Sequence, residues 1–222
     1  LTHTVSTQPP APERPRMIAI GGLSGSGKTT LATALGTHFT DHVVLDSDVL
    51  RKKMHGVDPL TPLPNSMYTP AHTIAFIEYA RTEAAKHLKN GQSVIVTGTF
   101  LDHTTRREQK QVADHCGADF IGLYLDVPVS KLFQRVAQRR DNPSDACVAI
   151  LRRQLRASPG HPNRKAGWHI IRADQRLSKT TAAALHILKY GHGNMGLQGT
   201  PHRPYPARGS KKHPPGGKKN QR

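Results

Sequence analysis

At 222 residues the chain has room for one α/β domain with flexible ends and is too short for two substantial domains. Hydrophobic residues make up 36%, enough for a genuine but modest core, and 32 Lys+Arg against 15 Asp+Glu give a formal net charge of +17. That balance favours polyanionic partners, phosphorylated ligands or simply a basic solubilising surface; the two cysteines, Cys116 and Cys147, exclude a disulfide framework, and the scattered histidines lack metal-ligand spacing.

Residues 1–16 are polar, hold four prolines and have no apolar core for a signal peptide, so a disordered lead-in is expected. A start at Leu1 fits a processed or excised piece of something longer. MIAIG (17–21) then reads as a buried strand, and directly behind it GLSGSGKT (22–29) satisfies G-x-x-x-x-G-K-[ST]. The glycines Gly22, Gly25 and Gly27 let backbone N–H groups turn inward around a β-phosphate, where side chains would collide. The N-terminus of the following helix adds its partial positive charge. Lys28 can bridge the β- and γ-phosphates, and the Thr29 hydroxyl can ligate Mg²⁺. Together with Ser26 and Thr30 these residues form the expected ATP-binding set; an ordinary Gly-rich strand-to-helix turn is the bland alternative.

A helix is expected over 28–39, with Leu31, Leu35 and Phe39 on one face, and a strand over VVLD (43–46). That strand runs into LDSDVLRKK, which sets Asp46 and Asp48 at its carboxyl end, the rim where open α/β sheets take ligands. Asp48 and Arg51 stand one helical turn apart. Asp48 can accept the proton of an attacking hydroxyl and Arg51 can hold an anion, or the two form a helix cap with a surface ion pair. The loop over 55–69 is expected to shape the substrate pocket. Thr69 followed by Pro70 starts a helix that Asn90 and Gly91 stop, and SVIVT (93–97) makes the third strand.

Thr105 with Glu108 forms a capping box ahead of the next helix, and DFIGLYL (119–125) is the fourth strand. Val129, Leu132, Phe133 and Val136 make an apolar helix face. Arg135 and Arg139 lie four apart on that helix, with Arg140 beside them and DNPSDA leading to another helix. Arginines placed this way either close over phosphates as a lid or form a solvated face. WHIIR (168–172) is the fifth strand, and Ser178 can cap a last helix ending at Gly191. Strand–helix alternation repeated this way implies a parallel sheet covered by helices on both faces, spanning 17–190. Residues 191–222 carry seven Lys/Arg and no acid, which predicts a disordered basic tail able to contact nucleic acid non-specifically, to solubilise or to tether. No apolar run approaches the roughly 20 residues of a membrane span, so a cytoplasmic protein without membrane contact is expected.

From Met17 to about Leu188 the chain resembles the small P-loop kinases of the AAA_33 type, including the ATP-binding module fused behind aminoglycoside-phosphotransferase-like domains and the kinase domain of polynucleotide kinases. The phosphate loop, SDVLRKKMHGV (47–57), SVIVTGTFLDHTTRR (93–107) and RVAQRRDNPSDA (135–146) carry the resemblance. It implies a nucleoside-kinase-like sheet of five parallel strands, with Asp48 as general base and Arg51 and Arg106 on the substrate. Arg135 and Arg139 take the place of lid arginines. Segment 171–178 falls where backbone contacts to adenine are made. One departure stands out: the family's third strand usually ends in aspartate, whereas this chain has Thr97. Asp46, Asp102 or water compensates, or activity is reduced, or the substitution is harmless.

The leading expectation is an ATP-dependent kinase acting on a hydroxyl of a small molecule or nucleic acid, with Lys28, Asp48, Arg135 and Arg139 as the catalytic set. The alternative is a catalytically weak or inactive ATP-binding protein serving as a basic scaffold. A mechanical ATPase is disfavoured by the absence of sensor motifs and of a further domain.

Overall fold

The computed structural model describes residues 14–39, 41–138, 147–158, 160–162 and 166–191. Most of the expected lead-in, nearly all of the expected tail, and Arg139, Arg140 and the DNPSDA loop lie outside the described residues.

Five strands form one sheet: β1 (Arg16–Gly21), β2 (His42–Leu45), β3 (Ser93–Thr97), β4 (Asp119–Asp126) and β5 (Trp168–Arg172). All neighbours pair in parallel in the order β2-β3-β1-β4-β5. Parallel neighbours need crossover connections, which the helices supply: α1 (Lys28–Gly36), α2 (Ser47–Met54), α3 (Pro70–Lys89), α4 (His103–His115), α5 (Val129–Ala137), α6 (Val148–Ala157) and α7 (Leu177–Tyr190). The five strands and their order of appearance are those read from the apolar runs. Connections leave β1 toward β2 on one side and reach β4 on the other, so the crevice beyond the carboxyl end of β1 is the natural ligand site.

Alternate residues of β1 enter opposite cores. Ile18 and Ile20 join Leu31, Leu35, Leu132, Leu151 and Leu188 on one face. Met17 and Ala19 join Ala84, Leu88, Ala113 and Trp168 on the other. Burial on both faces explains why the strands read as unbroken apolar runs rather than as alternating ones. Trp168 is fully buried and lies across Gly122, where a Cβ would stand 2.3 Å from the indole. Only glycine fits there.

The first turn of β1 takes Arg16 from the expected lead-in, and Arg14 donates to the Gly117 carbonyl at 2.8 Å, so the folded unit starts before residue 17. Helix α1 stops at Gly36 rather than at Phe39 because Thr37, His38 and Phe39 turn back onto Thr33 and Leu35 carbonyls. Asp46 is not the last residue of β2: its carboxylate caps α2 by accepting from the Asp48 and Val49 amides. Thr69 caps α3 as expected, with Pro70 next. The expected box at Thr105 and Glu108 is displaced, because Asp102 caps α4 three residues earlier through the Thr105 amide at 2.8 Å. An Asp is as good a cap as a Thr, and it also leaves Glu108 available to pair elsewhere. Ser178 likewise sits inside α7, whose cap position, Arg176, makes no side-chain bond. Among the described residues no helix is long and apolar enough to cross a membrane.

Candidate active site

Gly22, Gly25 and Gly27 adopt φ values of 146°, 87° and 97°, which L side chains rarely take. A Cβ on Gly25 would also meet the Leu132 carbonyl at 3.0 Å. The loop is closed by the Ser26 amide on the Leu23 carbonyl at 3.1 Å and attached to the neighbouring strand's exit by the Gly22 amide on the Thr99 carbonyl at 3.3 Å. Its last glycine is the N-cap of α1, so the helix begins with no side chain over its amides. That leaves a concave, amide-lined turn at a helix N-terminus, the arrangement that attracts an anion. Lys28 reaches back over the loop and donates to the Leu23 carbonyl at 3.2 Å.

Next to the loop, Asp46 gathers three elements. Its Oδ2 accepts from Thr29 Oγ1 at 2.7 Å and from Thr97 Oγ1 at 3.0 Å, while Oδ1 accepts from the Asp48 amide at 3.0 Å. Thr97 in turn accepts from the Ser47 amide at 3.1 Å. The Asp46 carboxylate, just past the end of the second strand, thus lies against the Thr97 hydroxyl at the end of the third, which links the two strand ends. Sequence reading named Asp46 only as one of three candidates to compensate for Thr97.

The phosphate loop separates two cavities. The larger, about 470 Å³, is lined by Ser24, Lys28, Asp48, Arg51, Thr97 and Asp102 on its polar side and by Tyr68, Phe76, Ile77 and Phe100 on its apolar side. The smaller, about 260 Å³, is lined by Gly25, Ser26, Gly27 and Thr30, with Arg135, Ala173 and Gln175 opposite. Asp48 and Arg51 thus meet Lys28 at one cavity. Segment 171–178 meets the phosphate loop at the other. Tyr68, from the 3-10 turn Asn65–Tyr68, brings the 55–69 loop to the larger cavity. That loop is held by Lys52, whose buried ammonium donates to the Pro59 carbonyl at 3.0 Å.

Arg51 lies over the Phe76 ring at 4.0 Å and the Tyr68 ring at 5.2 Å. Burial holds its pKa below the usual arginine value, with Tyr68 and Asp48 pulling it back up. Arg135 spans the smaller cavity's rim, donating to the Gly25 carbonyl at 3.2 Å and the Ala173 carbonyl at 3.1 Å. It is tied to the phosphate loop rather than swung away from it.

Arg106 departs furthest from expectation. Only 2% exposed and absent from the lining of both cavities, it donates to the carbonyls of Phe100 at 2.7 Å, Leu101 at 2.7 Å and Gly160 at 3.0 Å. Its guanidinium packs over Tyr124 at 5.1 Å. Burial depresses the Arg106 pKa and raises that of Tyr124. Through these bonds it fixes the β3–α4 loop, where Phe100 is the one non-glycine among the described residues with positive φ, at 40°.

Sequence reading missed several residues here. Gln154 of α6 accepts from the Ser24 amide at 2.9 Å, and its neighbour Arg153 lines the larger cavity. Arg81 of α3 and Glu108 of α4 form an ion pair at that cavity's wall. These contacts join residues far apart in sequence, and nothing local announces them.

A glycine-rich loop at the carboxyl edge of a β2-β3-β1-β4-β5 parallel sheet, with its Lys and Thr opening the next helix, defines a P-loop nucleotide-binding domain of the kinase type. The chain belongs to the AAA_33 family, an AAA domain, which it matches over residues 17–159. It is 26% identical over 160 residues to an uncharacterized protein of Mycobacterium tuberculosis, covering 68% of this chain and 32% of that one. It is 27% identical over 132 residues to an adenylyl-sulfate kinase of Paraburkholderia xenovorans, covering 58% of this chain and 65% of the kinase. The chain thus spans about a third of the first relative and about two thirds of the second. Among solved structures, a sugar kinase from Janibacter superposes with a TM-score of 0.60 at 20% identity, covering 79% of this chain and 95% of that one, which establishes the shared fold.

Proposed function

We propose that the domain is an ATP-dependent kinase that transfers the γ-phosphoryl group of Mg-ATP to a hydroxyl. The observation that carries this reading is the placement of Lys28 and the phosphate loop between two cavities, one facing segment 171–178 and the other facing Asp48. A phosphoryl group held by the loop then lies between a nucleoside in the smaller cavity and an acceptor in the larger.

Asp48 takes the acceptor's proton as the oxygen attacks the γ-phosphorus. The new oxygen–phosphorus bond forms as the bond to the β-phosphate breaks, and the electron pair leaves with ADP. Lys28 and the loop amides offset the charge that spreads over the phosphoryl oxygens, and Arg135 supports the loop at Gly25. Thr29 Oγ1 and Asp46 Oδ2, 2.7 Å apart, are oxygen donors of the kind Mg²⁺ accepts. Bound there, Mg²⁺ would supply positive charge that offsets the charge of the phosphates.

Asp46 beside Thr97 also supports catalysis over the scaffold reading, since a carboxylate is present where the third strand has none. A reducing compartment such as the cytoplasm suits the two free thiols, Cys116 and Cys147. With γ-labelled ATP and a panel of hydroxyl compounds, Asp48→Asn is expected to lower transfer about 10²–10⁴-fold while ATP binding persists. Undiminished transfer by that variant would refute the mechanism.

A further inference from the structure

Within α6 the run RRQLR (152–156) exposes its three arginines and turns Gln154 half inward. Leu151, one helical turn earlier on the same side, is buried in the core that holds Leu23 of the phosphate loop and Leu132 and Val136 of α5. That packing brings Gln154 to the loop, where its Oε1 accepts from the Ser24 amide at 2.9 Å. Arginine or lysine at this position would offer only donors, and a carboxylate would bring negative charge toward a triphosphate. Glutamine accepts the bond without charge.

The Ser24 amide is one end of the peptide bond joining Leu23 to Ser24. The carbonyl at the other end accepts from Lys28 Nζ at 3.2 Å and from the Ser26 amide at 3.1 Å. A trans peptide is planar, and its N–H and C=O point in opposite directions. Holding the N–H from α6 therefore aims the C=O at Lys28 and at the turn that closes the loop. Gln154 Oε1 and Lys28 Nζ sit at the two ends of this rigid unit, no more than roughly 8 Å apart. Gln154 also lines the larger cavity, so it stands at the seam: a residue of the acceptor's wall that touches the triphosphate's grip.

We propose that Gln154 is a positioning residue for the phosphate grip: it fixes the Leu23–Ser24 peptide, whose carbonyl steadies Lys28 for the γ-phosphate. This rests on the reading of the loop as the ATP site of a kinase. Without the Gln154 bond the peptide is free to rotate about its flanking torsions, and the Leu23 carbonyl no longer holds Lys28 in one place. ADP, which has no γ-phosphate, depends less on that placement than ATP does.

The test uses the full chain, with Gln154→Met and Gln154→Leu each removing the acceptor at similar size. Calorimetry reads the binding of Mg-ADP and of a non-hydrolysable ATP analogue with Mg²⁺. Both variants are expected to bind Mg-ADP within about twofold of wild type, which also reports folding, and to lose about two- to tenfold in affinity for the ATP analogue. In a Lys28→Met background the same substitutions should cost nothing further, because the group they position is gone. A merely structural bond would lower the unfolding midpoint and leave the preference for the ATP analogue over ADP as in wild type. An unchanged preference, an equal loss for both nucleotides, full additivity with Lys28→Met, or failure of both variants to bind Mg-ADP would overturn the proposal. The predicted loss of preference in a protein that transfers phosphate to no hydroxyl compound would leave this inference standing and count against the kinase reading instead.

Discussion

The two cavities beside the phosphate loop are built in different ways. The smaller one has one wall from a single stretch of chain, 25–30, where Gly25 and Gly27 hold positive φ angles, and the other from Leu125, Arg135 and residues 173–180. The larger one is assembled from residues of α2, the 55–69 loop, α3, the β3–α4 loop, α4 and α6, which meet Ser24 and Lys28 of the phosphate loop. Main-chain geometry depends on glycine spacing alone, so a phosphate grip is a local property of sequence. A side-chain pocket depends on how helices pack, so the acceptor's identity is not local. The contrast predicts that changes on one side alter nucleotide handling and changes on the other alter acceptor handling.

Arg106→Met should have the largest effect on the larger cavity. It strands three carbonyls, Phe100, Leu101 and Gly160, and frees the loop that carries Phe100. With about 1–3 kcal/mol for each buried group left unpaired, a loss of several kcal/mol is expected in denaturant unfolding. Acceptor KM should rise in any folded fraction while ATP affinity holds. A loss of ATP affinity with intact acceptor KM would break the division between the two sides.

On the other side, Arg135→Ala removes two bonds, to Gly25 and Ala173. At about 0.5–1.5 kcal/mol each, ATP binding should weaken roughly five- to a hundredfold, read by calorimetry, with acceptor KM unchanged. An equal effect on both substrates would merge the two cavities into one functional unit.

A smaller and pH-dependent effect is expected at Asp174, beside the smaller cavity. The Arg172 hydrogen bond, and then the charges of Arg172 and Lys131, hold its carboxyl below the ordinary value of 3.8. A depressed carboxyl pKa adds stability above the unfolded value, and that stability fades as pH falls through the folded one. Asp174→Asn should therefore lower the unfolding midpoint slightly at neutral pH and not at all in strong acid. A shift that persists in strong acid would assign the effect to packing rather than charge.

The sequence carried the strands, the phosphate loop and the α3 cap because each depends on a few adjacent residues. The same locality failed at α4, where Asp102 and Thr105 were both good caps and only tertiary packing chose between them. Arg106 illustrates the deeper limit: a basic residue at the start of a helix looks the same in sequence whether it faces a substrate or three backbone carbonyls. Lys52 is similar, a lysine within a charged run that folding buries under the 55–69 loop. Arg81 and Glu108 lie 27 positions apart on different helices, and no local pattern links them.

The central claim is that Lys28 and the loop amides grip a triphosphate. Calorimetric titration of Mg-ATP into the wild-type protein and into Lys28→Met tests it most directly. The account predicts saturable binding by the first and a loss of affinity of about tenfold or more in the second. No heat of binding in the wild type, or equal affinities in both proteins, would contradict it.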